Sequence, residues 1–118
     1  MTQAYRVQVT VADRIKAGLA LQMVAATTGV PVEVMTARAR LSGAAGKARW
    51  LAMYLAHVTY SWTLDHVGHA FGMNRATVAA ACRWAEDERD QPRLDALMDR
   101  LERSLRDVLE APRCELSA

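Results

Sequence analysis

The sequence predicts an all-α domain of about six helices with a helix-turn-helix near its middle and a long helix at its C-terminal end. Three observations predict it. Apolar residues recur at spacings of three and four along most of the chain, the period of one helix face. Capping residues precede these runs, and glycine or proline follows them. Two short amphipathic segments meet at one glycine, Gly72, which can take the left-handed backbone a tight corner needs. With 118 residues, 52% hydrophobic and 24% charged, the chain can bury one core and is not a disordered tail.

Residues 1–12 set Tyr5, Val7, Val9 and Val11 against polar or small partners and are expected to form a short extended arm, with residues 13–118 as one unit. Asp13 is expected to cap a helix from Arg14 to Thr28, with Ile15, Leu19, Met23 and Ala26 as its apolar stripe and Gly29 as its end. Val30-Pro31 opens a short helix over Val32–Ala37, with Val34 and Met35 pointing inward. Arg38 to Gly46, rich in small residues and carrying Arg38 and Arg40, is expected to be a loop. A helix from Lys47 to Tyr60 follows, with Trp50, Leu51, Tyr54, Leu55 and Val58 in its stripe. Thr63 caps a helix to Phe71, and Asn74 caps one to Glu88. Pro92 suits the first position of a last helix to Glu110. Leu94, Leu97, Met98, Leu101, Leu105 and Val108 share one side of it. Its other side offers Asp99/Arg103 and Glu102/Arg106 at i,i+4. The apolar side is expected to pack back on the domain or to receive a protein partner.

Composition narrows the function. Two cysteines make neither a disulfide framework nor a four-ligand zinc site, and no run approaches the roughly 20 apolar residues of a membrane helix. The N-terminus lacks the order of a signal peptide, so a cytoplasmic, nucleoid-associated location is expected. No G-x-x-x-x-G-K-[ST] loop is present, so no nucleotide site is expected. Nor is a metal or other cofactor: His66 and His69 have only Asp65 beside them, expected to point elsewhere, and are expected on the helix surface near phosphates. Cys82 falls on an inner face, and no nucleophile has a general base beside it, so no catalysis is expected. Trp50, Trp62 and Trp84 have the spacing of packing residues rather than of a base-stacking platform. Charge is uneven. Nine basic against three acidic residues give +6 up to Ala85, and six against ten give −4 from Glu86 onward, a basic body suited to a polyanion.

The segment Thr63–Arg83, TLDHVGHAFGMNRATVAAACR, carries the functional expectation. Leu64, Val67 and Phe71 face inward, with Gly68 where helices approach closely. Val78, Ala81, Cys82 and Ala85 form the inner face of the second helix. Asn74, Arg75, Ala76, Ala79, Ala80 and Arg83 then face out. In a helix-turn-helix the first helix braces the second, whose N-terminal end enters the major groove of duplex DNA. Arg75 at that end can give two hydrogen bonds to guanine O6 and N7. Thr77 can reach a phosphate or a thymine methyl, the alanines let the helix approach closely, and Arg83 suits a phosphate.

From Lys47 onward, KARWLAMYLAHVTYSWTLDHVGHAFGMNRATVAAACRWAE resembles the C-terminal, Trp-repressor-like DNA-binding domain of the bacterial replication initiator DnaA. That domain carries R-P-R-Q-x-A-M-x-L, then L-x-x-I-G-x-x-F-G, then D-H-T-T-V-x-x-A-C. Lys47 and Arg49 fall on its basic pair, Ala52-Met53 and Leu55-Ala56 on its helix core. Val67-Gly68 and Ala70-Phe71-Gly72 fall on its first recognition-unit helix, and Thr77-Val78 and Ala81-Cys82-Arg83 on its second. Val24 to Thr36 is similar to its upstream helices, so the likeness runs from about residue 14 to 110. The resemblance implies that Arg49 reaches a minor groove and that Asn74-Arg75-Ala76-Thr77, in place of D-H-T-T and after a turn one residue shorter, reads bases differently. Small residues from Ser42 to Gly46 replace the family's basic loop.

The expected function is a sequence-specific double-stranded DNA-binding transcription regulator. Similar DnaA-like domains in bacterial activators, including those of gene transfer agents, imply activation beside a sigma-like protein or RNA polymerase. Asn74, Arg75, Ala76, Thr77, Ala79 and Ala80 are expected in the major groove, Lys47 and Arg49 on backbone and minor groove, and Arg38, Arg40 and Arg83 on phosphates. Two alternatives stay open: a replication-control protein that occupies initiator boxes, and a protein-interaction module that does not bind DNA.

Overall fold

Six α-helices follow one another in the computed structural model, which describes residues 7–117 apart from positions 40 and 42. They are α1 (Val11–Thr28), α2 (Val32–Met35), α3 (Gly43–Thr59), α4 (Leu64–Phe71), α5 (Arg75–Glu88) and α6 (Pro92–Glu110). No strand occurs among the described residues. The architecture is therefore all-α, as its periodicity predicts.

Helix α3 is the axis. It buries Ala48 and every residue from Leu51 to Ala56, so it is apolar all round and needs neighbours on each side. α1, α2, α4, α5 and α6 supply them. One apolar cluster joins Leu21 and Val24 of α1, Met35 of α2, Leu51 and Leu55 of α3, and Met98, Leu101 and Leu105 of α6. A second lies beneath the α4–α5 corner and contains Met53, Ala56, Trp62, Val67, Val78 and Ala81. The tryptophans are packing residues: Trp50 and Trp84 meet edge to face with centroids 6.2 Å apart, and Trp62 is buried.

Several local expectations change. α1 starts at Val11, not Arg14, and Thr10 caps it; Asp13 completes the capping box by accepting from the Thr10 N–H. Both residues can cap, and only the reciprocal pair satisfies two free N–H groups at once. Its buried stripe is Ala17, Ala20, Leu21 and Val24, whereas Ile15 is 68% exposed and Ala26 is also exposed. α1 is apolar on several faces, so spacing alone did not select the one that meets α3. Gly29 ends α1 at φ 79° as expected. α2 stops at Met35; Met35 is buried but Val34 is exposed. The segment from Gly43 to Gly46, expected as loop, is the first turn of α3, where Ala44 and Ala45 carry helix propensity that offsets the glycines.

Helix α6 is clamped by Arg89, the residue after α5. Its guanidinium donates to Asp95 at 2.7 Å, Asp99 at 3.0 Å and the Tyr54 hydroxyl at 2.9 Å, and also to Glu102. Asp99 thus serves Arg89 instead of Arg103. Glu102 also meets Arg106 at 3.7 Å, the i,i+4 pair expected. Burial works against the Arg89 charge, but its hydrogen bonds outweigh that and hold it above the ordinary arginine range. Part of the acidic C-terminal segment is therefore internal charge balance.

Candidate nucleic-acid interface

The corner is built from backbone needs. Thr63 caps α4 by accepting from the His66 N–H at 3.1 Å. At the far end Gly72 sits at φ 70°, ψ 30°, and both its N–H and that of Met73 turn back to the Gly68 carbonyl. A Cβ on Gly68 would lie 2.5 Å from the Met73 carbonyl oxygen. Position 68 thus holds glycine because the chain leaving the corner passes directly over it. Asn74 then opens α5 by accepting from the Thr77 N–H at 2.8 Å, a cap worth about 1 kcal/mol.

The two helices lock face to face. Val67 from α4, Val78 and Ala81 from α5 and Met53 and Ala56 from α3 are buried together, with Phe71 and Met73 against them. Ala85 is buried too, and Cys82 is half-buried. Burial, with the nearby Glu86 charge, pushes the Cys82 thiol above its ordinary range, and its side chain packs against both apolar clusters. With that face turned in, Asn74, Arg75, Ala76 and Arg83 stand exposed, while Thr77, Ala79 and Ala80 are half-exposed.

Arg75 is 65% exposed at its side chain, and its Nη1 donates to Asp65 Oδ2 at 3.0 Å. Asp65, expected to point elsewhere, belongs to this surface. It lies in the first turn of α4, which the corner folds alongside the first turn of α5, a proximity that spacing along the chain does not show.

The remaining basic residues split into two groups. Arg38, exposed, and Arg49, half-buried, line one cavity of about 510 Å³ together with Met35, Ala37, Phe71, Gly72 and Met73. Arg49 Nη1 donates to the carbonyls of Met35 at 3.4 Å and Ala37 at 3.2 Å, while its Nε is buried with no partner among the described residues. Arg49 thus ties the end of α2 to α3, beside the corner. Lys47 is exposed on α3. Because α3 already begins at Gly43, the two residues lie two apart on a formed helix and point to different sides. Arg40 lies outside the described residues.

The histidines are engaged by the protein itself. The His66 ring stacks on Trp62 with centroids 4.2 Å apart, and its Nε2 lies 3.1 Å from Asp13, so it joins α4 to α1 rather than waiting at the surface. The Thr10 N–H and, secondarily, His66 hold the Asp13 carboxyl below the usual carboxylate range. His69 Nδ1 lies 3.2 Å from the Val7 backbone, which brings the segment ahead of α1 to the corner. Among the described residues no three His, Cys, Asp or Glu side chains come together to hold a metal. No helix there is long and apolar enough to cross a membrane.

The model of the bacterial dnaA protein helix-turn-helix matches residues 19–84. That span runs from α1 through the corner and most of α5. No curated protein and no solved structure matches the chain. The matched residues contain the whole corner, from the Thr63 cap to the outward face of α5, and that unit binds DNA in the family. With the match covering more than half of the chain and all the geometry of the corner inside it, the chain belongs to the bacterial dnaA protein helix-turn-helix family.

Proposed function

We propose that this chain is a sequence-specific double-stranded DNA-binding transcription regulator, an activator working beside a sigma-like protein or RNA polymerase. The observation that supports it most is the outward face of α5. Arg75 stands exposed at its leading end, and Ala76, Ala79 and Ala80 behind it keep that face slim. Such a surface fits the roughly 12 Å major groove, where base pairs differ in donors, acceptors and methyl groups. In this reading Asn74, Arg75, Ala76, Thr77, Ala79 and Ala80 lie in the groove and Arg83 on a phosphate beside it. Lys47, Arg38 and Arg40 neutralise backbone charge, and Arg49 approaches the minor groove from the cavity it shares with the corner. In this reading the residues from the Thr10 cap of α1 onward act as one unit in the cytoplasm, on the nucleoid, whereas Tyr5 and the rest of positions 1–6 of the expected arm lie outside the described residues. The exposed Val108 and Leu109 on α6 are available to the protein partner.

Selection from a pool of random duplexes, followed by mapping of bound genomic sites, tests the reading. The expected result is one enriched motif, found upstream of transcription starts whose output falls when the gene is deleted. Failure to enrich any sequence, with affinity indifferent to salt, would overturn it. Enrichment of initiator boxes and displacement of the initiator from them would instead assign the chain to replication control.

A further inference from the structure

Asp65 and Arg75 form an exposed ion pair across the corner. Asp65 is the second residue of α4, Arg75 the first of α5, and the Thr63 and Asn74 caps fix the two helix starts that carry them. Nη1 of Arg75 is 3.0 Å from Oδ2 of Asp65, with 65% and 37% of the two side chains exposed. A pair this open adds little to folding. Its consequence lies in what Arg75 can bind.

Guanidinium carries five N–H donors in a planar fork. Asp65 takes Nη1, and the donors left over suffice for the two bonds that guanine O6 and N7 accept. An arginine already held in one direction gives up less side-chain freedom when it docks. The carboxylate also cancels much of the Arg75 charge locally and repels a third group that is itself anionic. A phosphate is such a group, and a guanine edge is not. The neighbours on this face, Ala76, Ala79 and Ala80, bring no competing charge.

We propose that Asp65 is a specificity-determining residue that commits Arg75 to a base edge and keeps it off the phosphate backbone. The proposal rests on the DNA-binding reading above and assigns the partner of Arg75 within it. The full chain and its Asp65→Asn, Asp65→Ala and Arg75→Ala forms are compared by selection from random duplexes. Salt titration on the selected site and on random duplex follows, with thermal melting to confirm that each is folded.

The wild-type chain enriches a motif with guanine strongly preferred at one position. In Asp65→Asn and Asp65→Ala that preference falls by about tenfold, the size of one good arginine–guanine contact. Binding to random duplex strengthens several-fold, and the slope of log affinity against log salt steepens by about one unit, because Arg75 now neutralises a phosphate. In an Arg75→Ala background, Asp65→Asn leaves the motif unchanged. A wild-type motif that both Asp65 variants reproduce, with the same salt slope, would overturn the inference while leaving DNA binding intact. A wild-type chain that enriches nothing would overturn DNA binding itself, and the inference with it.

Discussion

Three residues at the corner show how finely the interface depends on single atoms. At Gly68 an added Cβ would meet the Met73 carbonyl oxygen at 2.5 Å, and that oxygen belongs to the backbone leaving the corner, which has little room to yield. Gly68→Ala is predicted to destabilise the fold by about 1–3 kcal/mol and to weaken DNA binding by displacing the start of α5, as denaturant melts and titrations would show. Gly72 differs: nothing crowds its missing side chain, and only its φ of 70° resists substitution. Gly72→Ala should cost about 1 kcal/mol, the ordinary penalty for a left-handed alanine. Arg75 is the proposed recognition residue. Arg75→Ala is predicted to cost about 1–3 kcal/mol on the selected site and to relax one base position, without altering the melting temperature appreciably because its ion pair is exposed.

At the scale of elements, what was legible in the sequence is what local chemistry decides. Thr63, Asn74, Gly72 and Pro92 mark helix ends through bonds and dihedral preferences that reach only three or four residues, and α4, α5 and α6 start where those residues place them. The outward face of α5 followed from three apolar positions, because Val78, Ala81 and Ala85 leave a single choice of rotation. α1 and the start of α3 were less legible for the opposite reason: apolar and small residues there permit several rotations and boundaries, and contact with α3 or α2 chooses among them. Ion pairs between elements were not legible at all. Nothing near Arg89 in sequence says that Tyr54 and Asp99 will reach it, and nothing near Arg75 that α4 will bring Asp65 to 3.0 Å. Lys47, exposed on α3, is proposed to act through charge alone, so Lys47→Ala should weaken binding to all sequences alike and make the salt slope shallower by about one unit. Asp13 joins α1 to α4, and its carboxyl is held below its ordinary range by the Thr10 N–H and His66. Its contribution to stability is complete above the unfolded value near pH ~4 and disappears as pH falls through the lower folded value. Asp13→Asn should therefore melt below wild type at neutral pH, with the gap closing in acid.

For the whole molecule, the joints that hold α6 and α1 to the core set stability under stress. Arg89 gathers carboxylates from α6 and the Tyr54 hydroxyl of α3. Removing it leaves Glu102 half-buried without its main partner, so Arg89→Ala is predicted to cost about 2 kcal/mol, the exposed Asp95 and Asp99 adding little. Burial pushes the Tyr54 phenol up to about 12 against the hydrogen bond from Arg89, and burial alone does the same at Tyr60, which donates to the Lys16 carbonyl at 2.7 Å. A phenol whose folded value is raised stabilises the fold fully below its unfolded value near pH ~10 and loses that contribution as pH rises toward the folded one. Helicity should therefore fall between about pH 10 and 12 together with the rise in phenolate absorbance of these two residues. Beside the corner, Arg49 of α3 and Arg38 of the α2–α3 connection line one cavity with Phe71, Gly72 and Met73.

The proposed function requires one surface of the chain to meet DNA. Backbone amide shifts of the labelled chain, followed by NMR as the selected duplex is added, locate that surface directly. The largest changes are expected on Asn74 to Arg83, with Arg38, Lys47 and Arg49 next and α6 nearly silent. Changes confined to α6, or none at low salt, would contradict the proposed function.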